Sequence, residues 1–277
     1  MRNRPALLLG VLELLLVGCL SREAVMPSAA PSSKVVVLIS AEAEWRPVKA
    51  HLRPPSVQAT PFGESFRATL TPGGPELTFL HGGYGQLAAA ASTQYAVEHF
   101  APALLVNLGT CGGFEGSAAV GDVVLASETV VYDIEERMGD SVEAIADFSS
   151  ALPVLWPARL RGRVRVERLL SADRDLDARA VPALRRRFGG VGGDWESGAI
   201  AFVARRNRVP LLVLREVSDV VTAGGSPTYG DLPAWQTMAA VQLVELLGLL
   251  GEALPEVLAA PLEPPRTLEP ARVLSPR

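Results

Sequence analysis

Aromatic residues make up only 6% of this 277-residue chain, and there are only two cysteines, Cys19 and Cys111. So little aromatic surface means a core built from Ala, Val and Leu. A hydrophobic share of 48% can supply such a core without disulfides or metals. Basic charge is not in excess either: the net charge is −4 and the isoelectric point about 5.5, which gives nucleic acid no electrostatic attraction. There is no internal repeat. The N-terminal apolar run, residues 6–18, is too short to span a bilayer comfortably. The length suits one large α/β domain better than two small ones.

That short run follows Arg2 and Arg4, carries Glu13 within it, and closes with Leu16-Val17-Gly18-Cys19, which resembles the bacterial lipobox. The resemblance implies a signal peptide over 1–18, cleavage before Cys19, and lipidation of its thiol and new amino terminus. A plain signal peptide is the simpler alternative. Residues 19–33 then form a flexible tether rich in Ala, Pro and Ser, and the membrane contact is made through the lipid on Cys19. The expected location is the bacterial cell envelope, on its periplasmic face. An acylated Cys19 also leaves Cys111 without a disulfide partner.

The folded domain is expected over 34–253. Val35–Ile39 reads as a fully buried strand and Glu42–Leu52 as a helix stopped by Pro54 and Pro55. Further strands are expected at 66–70, 76–80, 103–107, 122–132, 163–170 and 211–217, and helices at 86–100, 178–188, 196–207 and 232–253. Residues 139–157 read as irregular, and the Pro-rich stretch 254–277 as a disordered tail. Alternating strands and helices predict a single-domain α/β fold, a mixed, mainly parallel sheet flanked by helices.

Gly83-Tyr84-Gly85-Gln86-Leu87-Ala88 follows a strand and opens a helix, as in a dinucleotide fingerprint. No carboxylate ends the next strand, so a tight turn into a packed helix fits better. Asn107-Leu108-Gly109-Thr110-Cys111-Gly112-Gly113 reads as an open glycine-rich loop whose amides can receive a polar ligand. Cys111 has no His or Asp nearby to activate it and reads as a small buried thiol. The acids are placed more tellingly. Glu42 and Glu44 follow the first strand, Asp194 and Glu196 open a helix, and Asp219 follows 211–217. Each alone can be a helix cap. Together they point to one crevice at the strand ends.

These segments in order resemble the nucleoside phosphorylase/nucleosidase superfamily, and most closely the methylthioadenosine/S-adenosylhomocysteine nucleosidases. The resemblance runs from Lys34 to about Ala253. It is carried by Ile39-Ser40-Ala41-Glu42-Ala43-Glu44, by residues 82–90 with 107–113, and by Val120-Gly121-Asp122-Val123-Val124. Asp194-Trp195-Glu196-Ser197-Gly198 and Leu214-Arg215-Glu216-Val217-Ser218-Asp219 complete it.

The resemblance implies hydrolysis of the N-glycosidic bond of a small purine nucleoside, with no cofactor and with assembly as a homodimer. Asp219 becomes the acid that protonates the purine N7, held by Ser218. Glu44 becomes the base that activates water, and Glu196 accepts from the ribose hydroxyls. Thr110 stands where the family has a serine. Tyr84 and Trp195, the latter in place of a methionine, face the substrate. Arg215 either orients the acids or makes a structural ion pair. Asp175, in Ser171-Ala172-Asp173-Arg174-Asp175-Leu176, falls where an aromatic normally stacks on adenine, and a carboxylate cannot supply that surface. Residues 139–157 match the family poorly where a loop closes over the 5′ substituent. A phosphate-dependent phosphorylase and a non-catalytic nucleoside-binding lipoprotein are the alternatives.

Overall fold

The computed structural model describes residues 35–274. The signal segment, Cys19 and the tether lie outside them. The chain runs β1 (Val35–Ile39), α1 (Glu42–Leu52), β2 (Gln58–Thr60), β3 (Gly63–Thr69), β4 (Glu76–His81), α2 (Gly85–Phe100), β5 (Leu104–Phe114) and β6 (Val123–Val131). It continues with α3 (Ser141–Phe148), β7 (Ser150–Ala151), β8 (Arg165–Ser171), α4 (Val181–Phe188), β9 (Gly192–Asp194), α5 (Ser197–Arg206) and β10 (Leu211–Val221). The end is α6 (Leu232–Ala259), β11 (Arg266–Thr267) and α7 (Pro270–Val273).

Strands β4, β1, β5 and β10 lie side by side in parallel. Their alternate residues face opposite ways, as the period of two requires. Val35, Val37 and Ile39 pack with Trp45 and Val48 of α1 and with Leu243, Leu246 and Leu250 of α6. Val36 and Leu38 face Ala89 and Ala96 of α2 and Ile200 and Ala204 of α5. Each large side chain buried this way contributes roughly 1.5–3 kcal/mol. Helices thus cover both faces, as expected.

The sheet is mixed, as expected, but it is not a simple open one. Antiparallel pairing joins β2 to β3 and β3 to β4, and also β6 to β10 and β5 to β9. With β8 parallel to both β6 and β9, the strands β5, β9, β8, β6 and β10 close into a ring. A barrel of this kind removes sheet edges, which a simple open sheet would leave.

Three further differences have physical causes. The glycine-rich stretch 107–113 is no open loop: it is the second half of β5, paired with β10 throughout. Its glycines allow close approach rather than a turn. A Cβ on Gly109 would stand 1.9 Å from an Arg215 nitrogen. Residues 139–157 hold α3, whose N-cap Asp140 accepts from the Val142 amide at 2.7 Å. The stretch from 254 is not a disordered tail in the described residues. Helix α6 continues over Pro255 to bury Leu254 and Val257, β11 pairs with β7, and Leu268 and Val273 are buried. Scattered apolar anchors, rather than a periodic run, hold it down.

Candidate active site

Strand β5 shows why the site lies where it does. One edge pairs with β1 as far as Asn107 and with β9 only from Gly112. Thr110 falls in that gap, and its amide donates to Glu44 Oε1 at 2.6 Å, with its hydroxyl at 2.9 Å. Glu44 sits in the first turn of α1, where the positive end of the helix dipole favours a carboxylate.

Arg215, opposite Gly109 in β10, lies fully buried behind the cavity wall. Its Nη2 donates to Asn107 Oδ1 at 2.8 Å and stands 3.6 Å from Glu196; its Nε is 3.0 Å from Asp194 Oδ2. That last contact is an ion pair whose angle falls outside hydrogen-bond geometry. Burial works against the guanidinium charge, but Asp194, Glu196 and Glu44 outweigh it and hold Arg215 above its ordinary range. One cation cannot neutralise three carboxylates. Burial accordingly pushes Glu44 above the usual carboxylate range against the pull of Arg215 and Thr110. Burial likewise pushes Glu196 up to about 8, with Arg215 opposing and Asp194 and Glu44 adding to the rise.

Asp194 both caps and pairs. Its Oδ1 accepts from the amides of Glu196 at 3.2 Å and Ser197 at 3.0 Å, at the entrance to α5. The amides that open α2 are also used within the chain: Gly85 donates to Glu196 at 3.2 Å and Gln86 to Asp173 at 2.7 Å. That is a turn held by carboxylates, not a phosphate cradle.

Asp219 owes its position to an irregularity in β10. The register to β5 slips between Val217 and Asp219, so Ser218 is an extra residue that bends the strand. Ser218 then donates to Asp219 Oδ1 at 2.6 Å and Ser226 donates to Oδ2.

A cavity of about 760 Å³ collects these groups: Glu44, Glu196, Asp219, Ser218, Thr110, Trp195 and Tyr84 all line it. Among the described residues expected at the site, Arg215 alone does not, and lies behind the wall. Trp195 stacks on Tyr84 with ring centroids 4.7 Å apart, so the two form one aromatic wall of the cavity. Burial pushes the Tyr84 phenol up to about 12, with Asp175, Glu196 and Asp173 adding to it. Cys111 is buried and its thiol pushed well up by that burial, which fits an inert side chain.

The sequence reading did not reach Ser226, Thr228, Tyr229 and Trp235, in or just after the segment joining β10 to α6. Their one signal was position, immediately after the strand that bears Asp219. Asn107 was read only as a strand end; here it orients Arg215.

Comparison with known proteins agrees with this architecture. A 5′-methylthioadenosine/S-adenosylhomocysteine nucleosidase of Halalkalibacterium halodurans is 28% identical over 191 residues, 64% of this chain and 83% of that protein. Among solved structures, the 5′-methylthioadenosine nucleosidase of Arabidopsis thaliana in apo form aligns with a TM-score of 0.66 at 20% identity, covering 84% of this chain and 98% of that one. The 5′-methylthioadenosine/S-adenosylhomocysteine nucleosidase of Neisseria meningitidis, in complex with methylthio-immucillin-A, gives 0.60 at 20% identity, covering 79% and 98%. These likenesses are of fold. The family model described as the phosphorylase superfamily matches residues 34–249, most of the chain, and it is to this superfamily that the protein belongs.

Proposed function

We propose that this protein hydrolyses the N-glycosidic bond of a purine nucleoside, releasing free base and sugar. The observation that carries this reading is the meeting of Glu44, Glu196 and Asp219, from three distant stretches of chain, around one cavity. Breaking the bond builds positive charge on the sugar and negative charge on the departing base. A positioned acid typically speeds such a step by about 10²–10⁴-fold. Asp219, gripped by Ser218 and Ser226, is that acid. Glu44, raised above the ordinary carboxylate range, is a better proton acceptor for water than an exposed glutamate would be. Glu196 holds the ribose hydroxyls and lies near the developing cation.

Water is favoured over phosphate as the attacking group on electrostatic grounds. Glu44, working as a deprotonated base, puts negative charge at the sugar end, and Arg215 is already engaged by Asp194, Glu196 and Asn107. The nucleosidase named for Halalkalibacterium halodurans supports the same reaction class at 28% identity. The lipobox-like Leu16-Val17-Gly18-Cys19 supports action at the cell envelope.

The test is incubation with a panel of nucleosides, with and without phosphate, and detection of free base and sugar. Base and unphosphorylated sugar appearing at the same rate under both conditions supports hydrolysis. Sugar phosphate formed only with phosphate makes the protein a phosphorylase. Tight binding without base release makes it a capture protein.

A further inference from the structure

Every buried residue of α6 is Ala, Gly, Leu or Val except Gln242. Its Nε2 donates to the Val217 carbonyl of β10 at 3.0 Å. Burial, and after it Glu245, pushes the adjacent Glu216 carboxyl up to about 7, and the Gln242 amide opposes that rise. The Gln242 Oε1 is buried with no hydrogen-bond partner among the described residues, a cost that a leucine there would not carry. Packing of α6 therefore does not account for a glutamine at this position; its donor does.

That donor grips β10 immediately before Ser218, the extra residue whose bulge brings Asp219 to the cavity. A bulge interrupts the ladder, so the strand is softest there and needs holding from outside it. The Val217 carbonyl also accepts from the Gly121 amide at 2.9 Å, and its own amide donates to the Asp122 carbonyl at 2.9 Å. The bulge is thus held from two sides, by the turn before β6 and by α6. We propose that Gln242 is a positioning residue for Asp219: by tying the Val217 carbonyl to α6 it sets where the carboxyl stands against the departing base. This rests on Asp219 acting as the acid, as proposed above. Misplacing a reacting group by about 1 Å can cost on the order of 10²-fold in rate, so a tie two residues away is close enough to matter. Because Gly121 still holds Val217 when Gln242 is changed, the strand shifts without coming apart.

The experiment compares the full-length protein with its Gln242→Met variant, which keeps the length of the side chain and removes the donor. Two kinds of substrate are used: adenosine and inosine, whose bases leave with a proton, and 4-nitrophenyl riboside, whose leaving group departs without one. Gln242→Met should lower kcat on the purine nucleosides by about tenfold or more, with KM little changed, and leave 4-nitrophenyl riboside within about twofold of wild type. Asp219→Asn should show the same split, enlarged. Equal losses on both kinds of substrate are what a merely structural role gives, and they overturn the proposal, as does no loss on either. A second readout needs no turnover: the protein is labelled with carboxyl-¹³C aspartate, and the Asp219 signal is the one missing from Asp219→Asn. In Gln242→Met that signal should move while the other aspartate signals stay in place. If the wild type releases no purine, hydrolysis fails as a reading, and a moved Asp219 signal still upholds the positioning role. An unmoved signal overturns it.

Discussion

At Glu196 the cost of burying a carboxylate shows in its titration. The unfolded chain releases this proton near the ordinary value of 4.5, whereas the folded protein keeps it to about 8. The stability that this proton contributes is whole below about 4.5 and is lost as pH rises through about 8. Thermal melts across that window should show Tm falling with pH, and Glu196→Gln should flatten the fall. Glu44 sets the acid limb of the reaction for the same reason. It works as a base only when deprotonated, so kcat/KM should decline on acidification at a pH above the usual carboxylate value. A profile flat down to pH 4.5 would remove Glu44 from the base role. Asp219→Asn should lower kcat by about 10²–10⁴-fold while circular dichroism and Tm stay near wild type.

Among the elements, β5 and β10 carry the most consequence. Their pairing places Arg215 across Gly109, with no room for even a methyl group. Gly109→Ala should displace the guanidinium from Asp194 and Glu196 and cut turnover without unfolding the protein. Arg215→Met is expected to be worse, since it leaves buried carboxylates without their cation, at a cost of about 3–5 kcal/mol in urea unfolding. The C-terminal elements are structural in a different way. Leu268 and Val273 fill a cluster with Phe114, Ile145 and Phe188, while Arg272 pairs with the buried Glu128. Leu268→Ala should therefore destabilise by about 2–5 kcal/mol, measured by the same denaturation.

On the scale of the whole molecule, the expected lipid anchor makes a separable claim. Cys19→Ser should abolish incorporation of labelled fatty acid and shift the protein from the membrane fraction to the soluble one. Retention of label would exclude Cys19 as the acylated residue. The sequence was enough to determine the buried parallel strands, the helices on both faces, and the acids that line the cavity, because periodicity and strand-end placement are local properties. Only the tertiary structure decided that glycines 109, 112 and 113 lie inside a strand, that the sheet closes into a ring, and that residues 254–274 dock on it. It also decided which carboxylates share Arg215 and which serines grip Asp219. Close approach and shared charge depend on how strands and turns pack against one another rather than on spacing along the chain, and no local pattern encodes them.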